Sequence, residues 1–198
     1  MTDGRRRTRA EMRAETSATL VAVARRHFID EGFAAASMDR ICAEAGVTRG
    51  ALYHNFGGKT GLFEAVFRQL DAEIGTRIDA VYAGVEDPFE ALLAACFGYL
   101  DAALDPEVQR ILLRDGPAVL GQKAREIDEA GAIHPFAEAL SGLMDEGRLR
   151  RTDPEALARM LNGAMMDAAM WIAASETPKD TLGRAKDVLR TMVRGMAT

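Results

Sequence analysis

The chain has 198 residues, 48% of them apolar and 28% charged, with a net charge of −5 and two cysteines. That length can bury a core of one or two domains, and the composition excludes a disordered tract and a disulfide-stapled scaffold. No apolar run approaches the ~20 residues of a membrane span, and the charged start "MTDGRRRTRAEMRAET" lacks the apolar stretch of a secretory signal, so a cytoplasmic protein with no membrane partner is expected.

The charge is unevenly spread. Residues 1–59 hold ten Lys and Arg against seven Asp and Glu, and residues 60–198 hold fifteen against twenty-three. A basic end on an acidic body suits a chain whose halves meet different partners, although ordinary solvated faces would give the same counts. Arg5, Arg6, Arg7 and Arg9 make a basic arm over 1–14, suited to a minor groove or to plain solvent.

Helical periodicity then runs through the whole chain, and no segment alternates strictly as a strand would. "TSATLVAVARRHFIDEGF" places Leu20, Ala24 and Phe28 four apart and predicts a helix that stops at Gly32. "SMDRICAEAG" predicts a second helix, capped by Ser37 and ended by Gly46. A short third helix over about 48–54 follows. From Lys59 a long amphipathic helix carries Leu62, Phe63, Val66, Phe67, Leu70 and Ile74 on one face. Beyond it, Asp or Thr followed by Pro at 87–88, 105–106, 153–154 and 177–178 marks helix starts, because the first residue caps and proline needs no N–H at the first helical position. "DGP" at 115–117 predicts a stop, and Pro135 a kink or break near 131–135. About five helices are expected in this second half.

Chemistry concentrates in "GVTRGALYHNFGGK" at 46–59. Two short helices joined at a glycine form a helix-turn-helix. On a wheel of ~100° per residue, Arg49, Tyr53, Gly50 and His54 share one arc of about 140°, while Ala51 and Leu52 face away. That arc suits a DNA groove. Arg49 can bond a guanine edge, Gly50 brings bare backbone close, and Tyr53 and His54 can donate to phosphates. Lys59 and the capped helix starts at Ser37 and Thr48 offer further phosphate contacts. A plain structural turn in a helical protein is the competing explanation.

The stretch "EGFAAASMDRICAEAGVTRGALYHNFGGKTGLFEAVF" resembles the N-terminal domain of the tetracycline-repressor (TetR/AcrR) family, over residues 15–67 or about a quarter of the chain. "ILLRDGPAVLG" at 111–121 resembles the regulatory half of some members. The resemblance implies an all-α fold: a three-helix DNA-binding domain at 15–60 with its motif at 37–56, joined by a long helix to a ligand-sensing and dimerisation domain at 61–198. It implies a ligand-responsive transcription regulator, a repressor released from a palindromic double-stranded operator by a small molecule, acting as a homodimer without a cofactor. DNA contacts carried over by position are Ser37, Thr48, Arg49, Gly50, Tyr53, His54, Asn55 and Lys59. Three positions depart from the family pattern. Gly58 replaces a frequent Ser cap, Thr60 a frequent Glu, and His27 a frequent Leu.

In the second half, Met and aromatic side chains suit a pocket for a largely apolar effector, with core packing as the simpler alternative. Phe97, Arg114, His134, Met144, Met166 and Trp171 are its candidates. Leu161, Ala168, Leu189 and Val193 are candidates for a four-helix dimer interface, although period alone cannot separate this from packing within one chain. No nucleophile elbow, P-loop, zinc-protease or paired-cysteine motif occurs, so neither an enzyme nor a metal site is expected. The competing function is an all-α ligand-binding or interaction protein that does not regulate DNA.

Overall fold

The computed structural model describes residues 8–198, and for residues 9 and 10 the backbone alone. Arg5, Arg6, Arg7 and the side chain of Arg9 lie outside the described residues. From Thr8 onward the expected arm is already helix. Thr8 Oγ1 accepts from the Glu11 N–H at 3.2 Å, and the Thr8 N–H donates to Glu11 Oε2 at 2.7 Å. This capping box satisfies two donors at once and starts α1 at Arg9.

The helices are α1 (Arg9–Ala35), α2 (Met38–Ala45), α3 (Arg49–Phe56), α4 (Lys59–Ala83), α5 (Pro88–Ala102), α6 (Pro106–Val108), α7 (Gly116–Leu120), α8 (Gln122–Asp145), α9 (Pro154–Ala174) and α10 (Pro178–Arg194). No strand occurs among the described residues, only one antiparallel bridge between Leu149 and Ala197. The α1 backbone leaves helical geometry at Gly32 (φ 79°, ψ 165°), the expected stop, and regains one more turn to Ala35.

The chain divides into two compact units within α4, the first ending at Arg68 and the second running Gln69–Thr198. The division falls eight residues beyond the 60/61 boundary expected from sequence, because the start of α4 belongs to the first core. Phe63 stacks edge-on against Phe28 and Phe33, each at 5.2 Å between ring centres. Leu20, Ala24, Ile41, Leu52, Leu62 and Val66 close that core. The second unit has its own core, drawn from α5, α8, α9 and α10, with Leu93, Leu100, Leu140, Leu143, Ile172 and Val193 at its centre.

One sequence expectation fails here, and a second loses one of its two alternatives. "DGP" does not stop the helix. The chain continues from α6 through a π-helical stretch, Gln109–Asp115, into α7, and turns only at Gly121 (φ 58°). Pro117 has no N–H for the carbonyl four residues back, and the preceding Gly116 N–H bonds Ile111, five back, so the helix widens rather than ends. Pro135 likewise does not break α8, which is continuous over its 24 residues. Ile133, Leu140, Leu143 and Met144 bury on either side of it and hold the helix through the missing bond.

Candidate nucleic-acid interface

The motif is built by caps and one tight turn. Ser37 caps α2, accepting from the Arg40 N–H at 3.4 Å, and Gly46 ends it in the left-handed conformation (φ 66°, ψ 30°). Thr48 Oγ1 accepts from the Ala51 N–H at 3.2 Å and starts α3. Leu52 is fully buried and pins α3 from beneath. α1 and α2 are tied by a polar network. The buried His27 has Nδ1 2.8 Å from Glu31 Oε1 and Nε2 2.8 Å from Glu44 Oε2. Arg40 pairs with Glu31 and Arg26 with Glu44. The Arg26 hydrogen bond, then that from His27, holds the Glu44 carboxyl below its ordinary range. The polar residue at a position where Leu is frequent thus links two helices through carboxylates.

Thr48, Arg49, Gly50, Tyr53 and His54 all face solvent on one side of α3. Arg49 extends its Nε towards Asp39 Oδ1 at 3.3 Å, which leaves the planar Nη fork to point elsewhere. Gly50 informs by what does not surround it. A Cβ there would meet nothing closer than Thr48 Oγ1 at 3.8 Å, so the fold itself does not require glycine. The bare backbone between Arg49 and Tyr53 is therefore available to a partner.

Asn55 and Lys59 are placed differently from the other candidates. Asn55 is half-buried. Its Nδ2 donates to the Ala51 carbonyl at 2.8 Å and its Oδ1 accepts from Arg13 Nε at 2.9 Å, so it braces α3 and brings an α1 guanidinium beside it. Sequence reasoning missed Arg13, since nothing local links positions 42 apart. Lys59 Nζ donates to the Ala34 carbonyl at 3.1 Å and lies over the Phe33 ring at 4.9 Å. Burial lowers its pKa, with Glu31 opposing. Gly58 (φ 128°) is not merely a lost cap. A Cβ would stand 3.3 Å from Tyr53 Cε1, in a conformation L side chains rarely adopt. Gly61 is tighter still: a Cβ would lie 1.8 Å from the Phe56 carbonyl oxygen, so α3 and α4 meet backbone to backbone.

The second-unit candidates are not brought together. Met144 lies in the core. Arg114 is exposed, and His134 is on the surface, 3.3 Å from Glu138. Phe97 packs at the core edge beneath Lys186 and Arg190. Trp171 is 45% exposed under Arg184. Met166 alone adjoins buried polar groups, its sulfur 3.7 Å from Asn162 Nδ2. Of the interface candidates, Leu161, Leu189 and Val193 are taken up by the core of their own chain, and Ala168 is partly buried against it. The helical period marks inward and outward apolar faces alike, so the exposed neighbours Met160, Met170, Trp171, Val188 and Met192 were the ones left over. Among the described residues no three His, Cys, Asp or Glu are placed to hold a metal, and both cysteines are buried and free. Burial pushes the Cys96 thiol up to about 12.

Comparison with known proteins agrees with this architecture. Residues 20–66 match the family model for bacterial regulatory proteins of the tetR family, and residues 89–196 a tetracyclin repressor-like C-terminal domain. The TetC protein of transposon Tn10 from Escherichia coli is 32% identical over 162 residues, spanning 78% of this chain and 79% of that one. The HTH-type transcriptional regulator TtgW of Pseudomonas putida is 32% identical over 131 residues, or 65% of this chain and 87% of its own. A crystal structure of a TetR-family transcriptional regulator from Pectobacterium atrosepticum is 41% identical, with a TM-score of 0.88 over 97% of this chain and 98% of that one. The Pseudomonas and Pectobacterium relatives are transcriptional regulators. Helix-turn-helix geometry, both family models and relatives spanning most of the chain agree: this chain belongs to the tetR family and is a ligand-responsive, DNA-binding transcriptional regulator.

Proposed function

We propose that the protein is a cytoplasmic repressor, nucleoid-associated when bound to DNA, that holds a palindromic operator as a homodimer and leaves it when a small molecule binds the second unit. The observation that carries the reading is the solvent-facing set Thr48, Arg49, Gly50, Tyr53 and His54, mounted on a helix pinned by Leu52. In the major groove, the Arg49 fork reads a guanine and Gly50 admits the DNA backbone. Tyr53, His54 and the N–H groups at Ser37 and Thr48 bond phosphates. Asn55 acts through Arg13, whose Nη groups reach a phosphate. Lys59 keeps two donors for the same task while the third holds Ala34.

The dimer forms through the outer faces of α9 and α10, where Met160, Trp171, Val188 and Met192 leave apolar surface exposed. Two-fold symmetry sets the reading helices one DNA turn apart, about 34–36 Å. Since α4 belongs to both units, effector binding in the second unit shifts α4 and changes that separation. A ~100-fold loss of operator affinity requires the effector to favour the released state by about 2.7 kcal/mol.

Selection of bound sequences from a random DNA pool, followed by a salt series on the winner, tests the reading. A palindromic winner and a steep fall of affinity with salt are expected. Binding without sequence preference would sink the operator. A monomer in sedimentation at micromolar concentration would sink the dimer.

A further inference from the structure

One carboxylate stands among the groups that would meet DNA. Asp39, in the first turn of α2, brings Oδ1 to within 3.3 Å of Arg49 Nε at the start of α3. Both side chains are open to solvent, Asp39 72% and Arg49 58% exposed. The other charged groups of α2 are turned to α1: Arg40 pairs with Glu31 at 3.0 Å, and Glu44 with Arg26 and His27. The sequence of α3 contains no acid. Asp39 is therefore the carboxylate of the two motif helices that is paired with a residue of the reading arc.

The pair does little for the fold, because an ion pair this exposed is screened by water and salt. Against DNA the carboxylate is a cost, since it repels phosphates of any sequence. What it supplies is direction. The guanidinium is a planar fork of N–H donors on a flexible stem, and the stem loses entropy when it is fixed on a base. A carboxylate at the Nε edge restricts that plane before DNA arrives and leaves the Nη fork for guanine O6 and N7. An arginine without the tie can swing to a nearby phosphate, which raises affinity for all DNA and discriminates less.

We propose that Asp39 is a positioning residue that sets sequence specificity: its carboxylate holds the Arg49 guanidinium at the Nε edge for one guanine and lowers attraction to every other sequence. The inference rests on the reading of Arg49 as the guanine-contacting residue. Specificity is a difference of affinities, and Asp39 acts on both sides of it. On the operator, the bidentate contact outweighs the repulsion between Asp39 and the phosphates. On other DNA the repulsion stays and no guanine offsets it.

Full-length wild type, Asp39→Ala, Arg49→Ala and the double variant are titrated with the operator selected from a random pool, with that operator changed at the base pair that Arg49→Ala relaxes, and with a duplex of unrelated sequence. Asp39→Ala should reduce discrimination between the first two about three- to tenfold, part of what a bidentate contact supplies. It should also tighten binding to the unrelated duplex about two- to fivefold. In the Arg49→Ala background the same substitution should change discrimination by no more than about twofold. Asp39→Asn, of the same size without the charge, should shift both quantities in the same directions and melt within about 2 °C of wild type. The inference is overturned if Asp39→Ala keeps full discrimination, if it weakens all three duplexes alike, or if it loses discrimination equally without Arg49. Should Arg49→Ala relax no position, the guanine reading falls and this inference with it. Relaxation by Arg49→Ala but not by Asp39→Ala overturns this inference alone.

Discussion

The two units use the same amphipathic helix and treat their polar groups in opposite ways. In the first, polar side chains meet partners at the rim. His27 lies between two carboxylates that arginines also hold, Asn55 receives Arg13, and Lys59 caps Ala34. In the second, Asp128 and Tyr99 are drawn inward, where burial raises both. A unit that must present a rigid face to DNA gains from satisfied polar ties. In the second unit the same chemistry is set deeper, with Asp128 taking its hydrogen bond from the buried Asn162.

The largest expected effect sets one glycine of α4 against another. Gly61→Ala drives a methyl into the Phe56 carbonyl and should cost the first unit about 3 kcal/mol or more, with loss of DNA binding. Gly75→Ala in the second unit meets nothing within 4 Å and should be neutral or stabilising by up to ~1 kcal/mol. Thermal melts of the two variants decide this, and equal destabilisation would break the contrast.

Next come substitutions that separate reading from folding. Gly50→Ala has room in the fold and should keep or raise stability by ~0.5–1 kcal/mol while weakening operator binding. Arg49→Ala should lose ~1–3 kcal/mol at the selected site and relax a single base position. If Gly50→Ala binds like wild type, close approach of the backbone is not used. Gly58→Ser should destabilise by about 1–2 kcal/mol despite supplying a helix cap, because φ 128° and the Tyr53 ring oppose it. A higher melting temperature for Gly58→Ser would show that the cap outweighs the strain.

The smallest effect is on pH dependence, and the two units should differ in sign. Glu44 is held below its ordinary 4.5, so its contribution is complete above that value and disappears as pH falls through the lower folded-state value. Glu44→Gln should flatten this acid-side loss. Asp128 is raised above its ordinary 3.8, so its contribution is present at low pH and disappears as pH rises through the folded-state value. Asp128→Asn should remove that decline. Melts from about pH 3 to 7 on both variants check the signs.

Much of the first unit was legible because its signals are local. Ser37, Gly46 and Thr48 cap or turn within four residues, and the arc of Arg49, Gly50, Tyr53 and His54 follows from helical period alone. The capping box at Thr8 and Glu11 was equally local and was passed over in favour of an arm. Arg13 on Asn55 and Lys59 on Ala34 were invisible, since contacts 42 and 25 residues apart leave no mark on spacing. In the second unit the proline-led starts of α5, α9 and α10 were readable, but continuity through Pro117 and Pro135 was not, because neighbouring helices decide whether a lost hydrogen bond ends a helix.

By itself, then, the sequence determined the helices, their caps and the exposed reading arc, all consequences of torsional preference and period within a few residues. Tertiary structure alone decided which apolar residues became core. Leu189 and Val193 face inward, while Val188 and Met192 on the same helix remain outside. It alone also set Asn162 of α9 against Asp128 of α8, 2.9 Å apart and 34 residues distant in the chain. Periodicity states that a face is apolar or polar, and only the packing of one helix against another decides what that face meets.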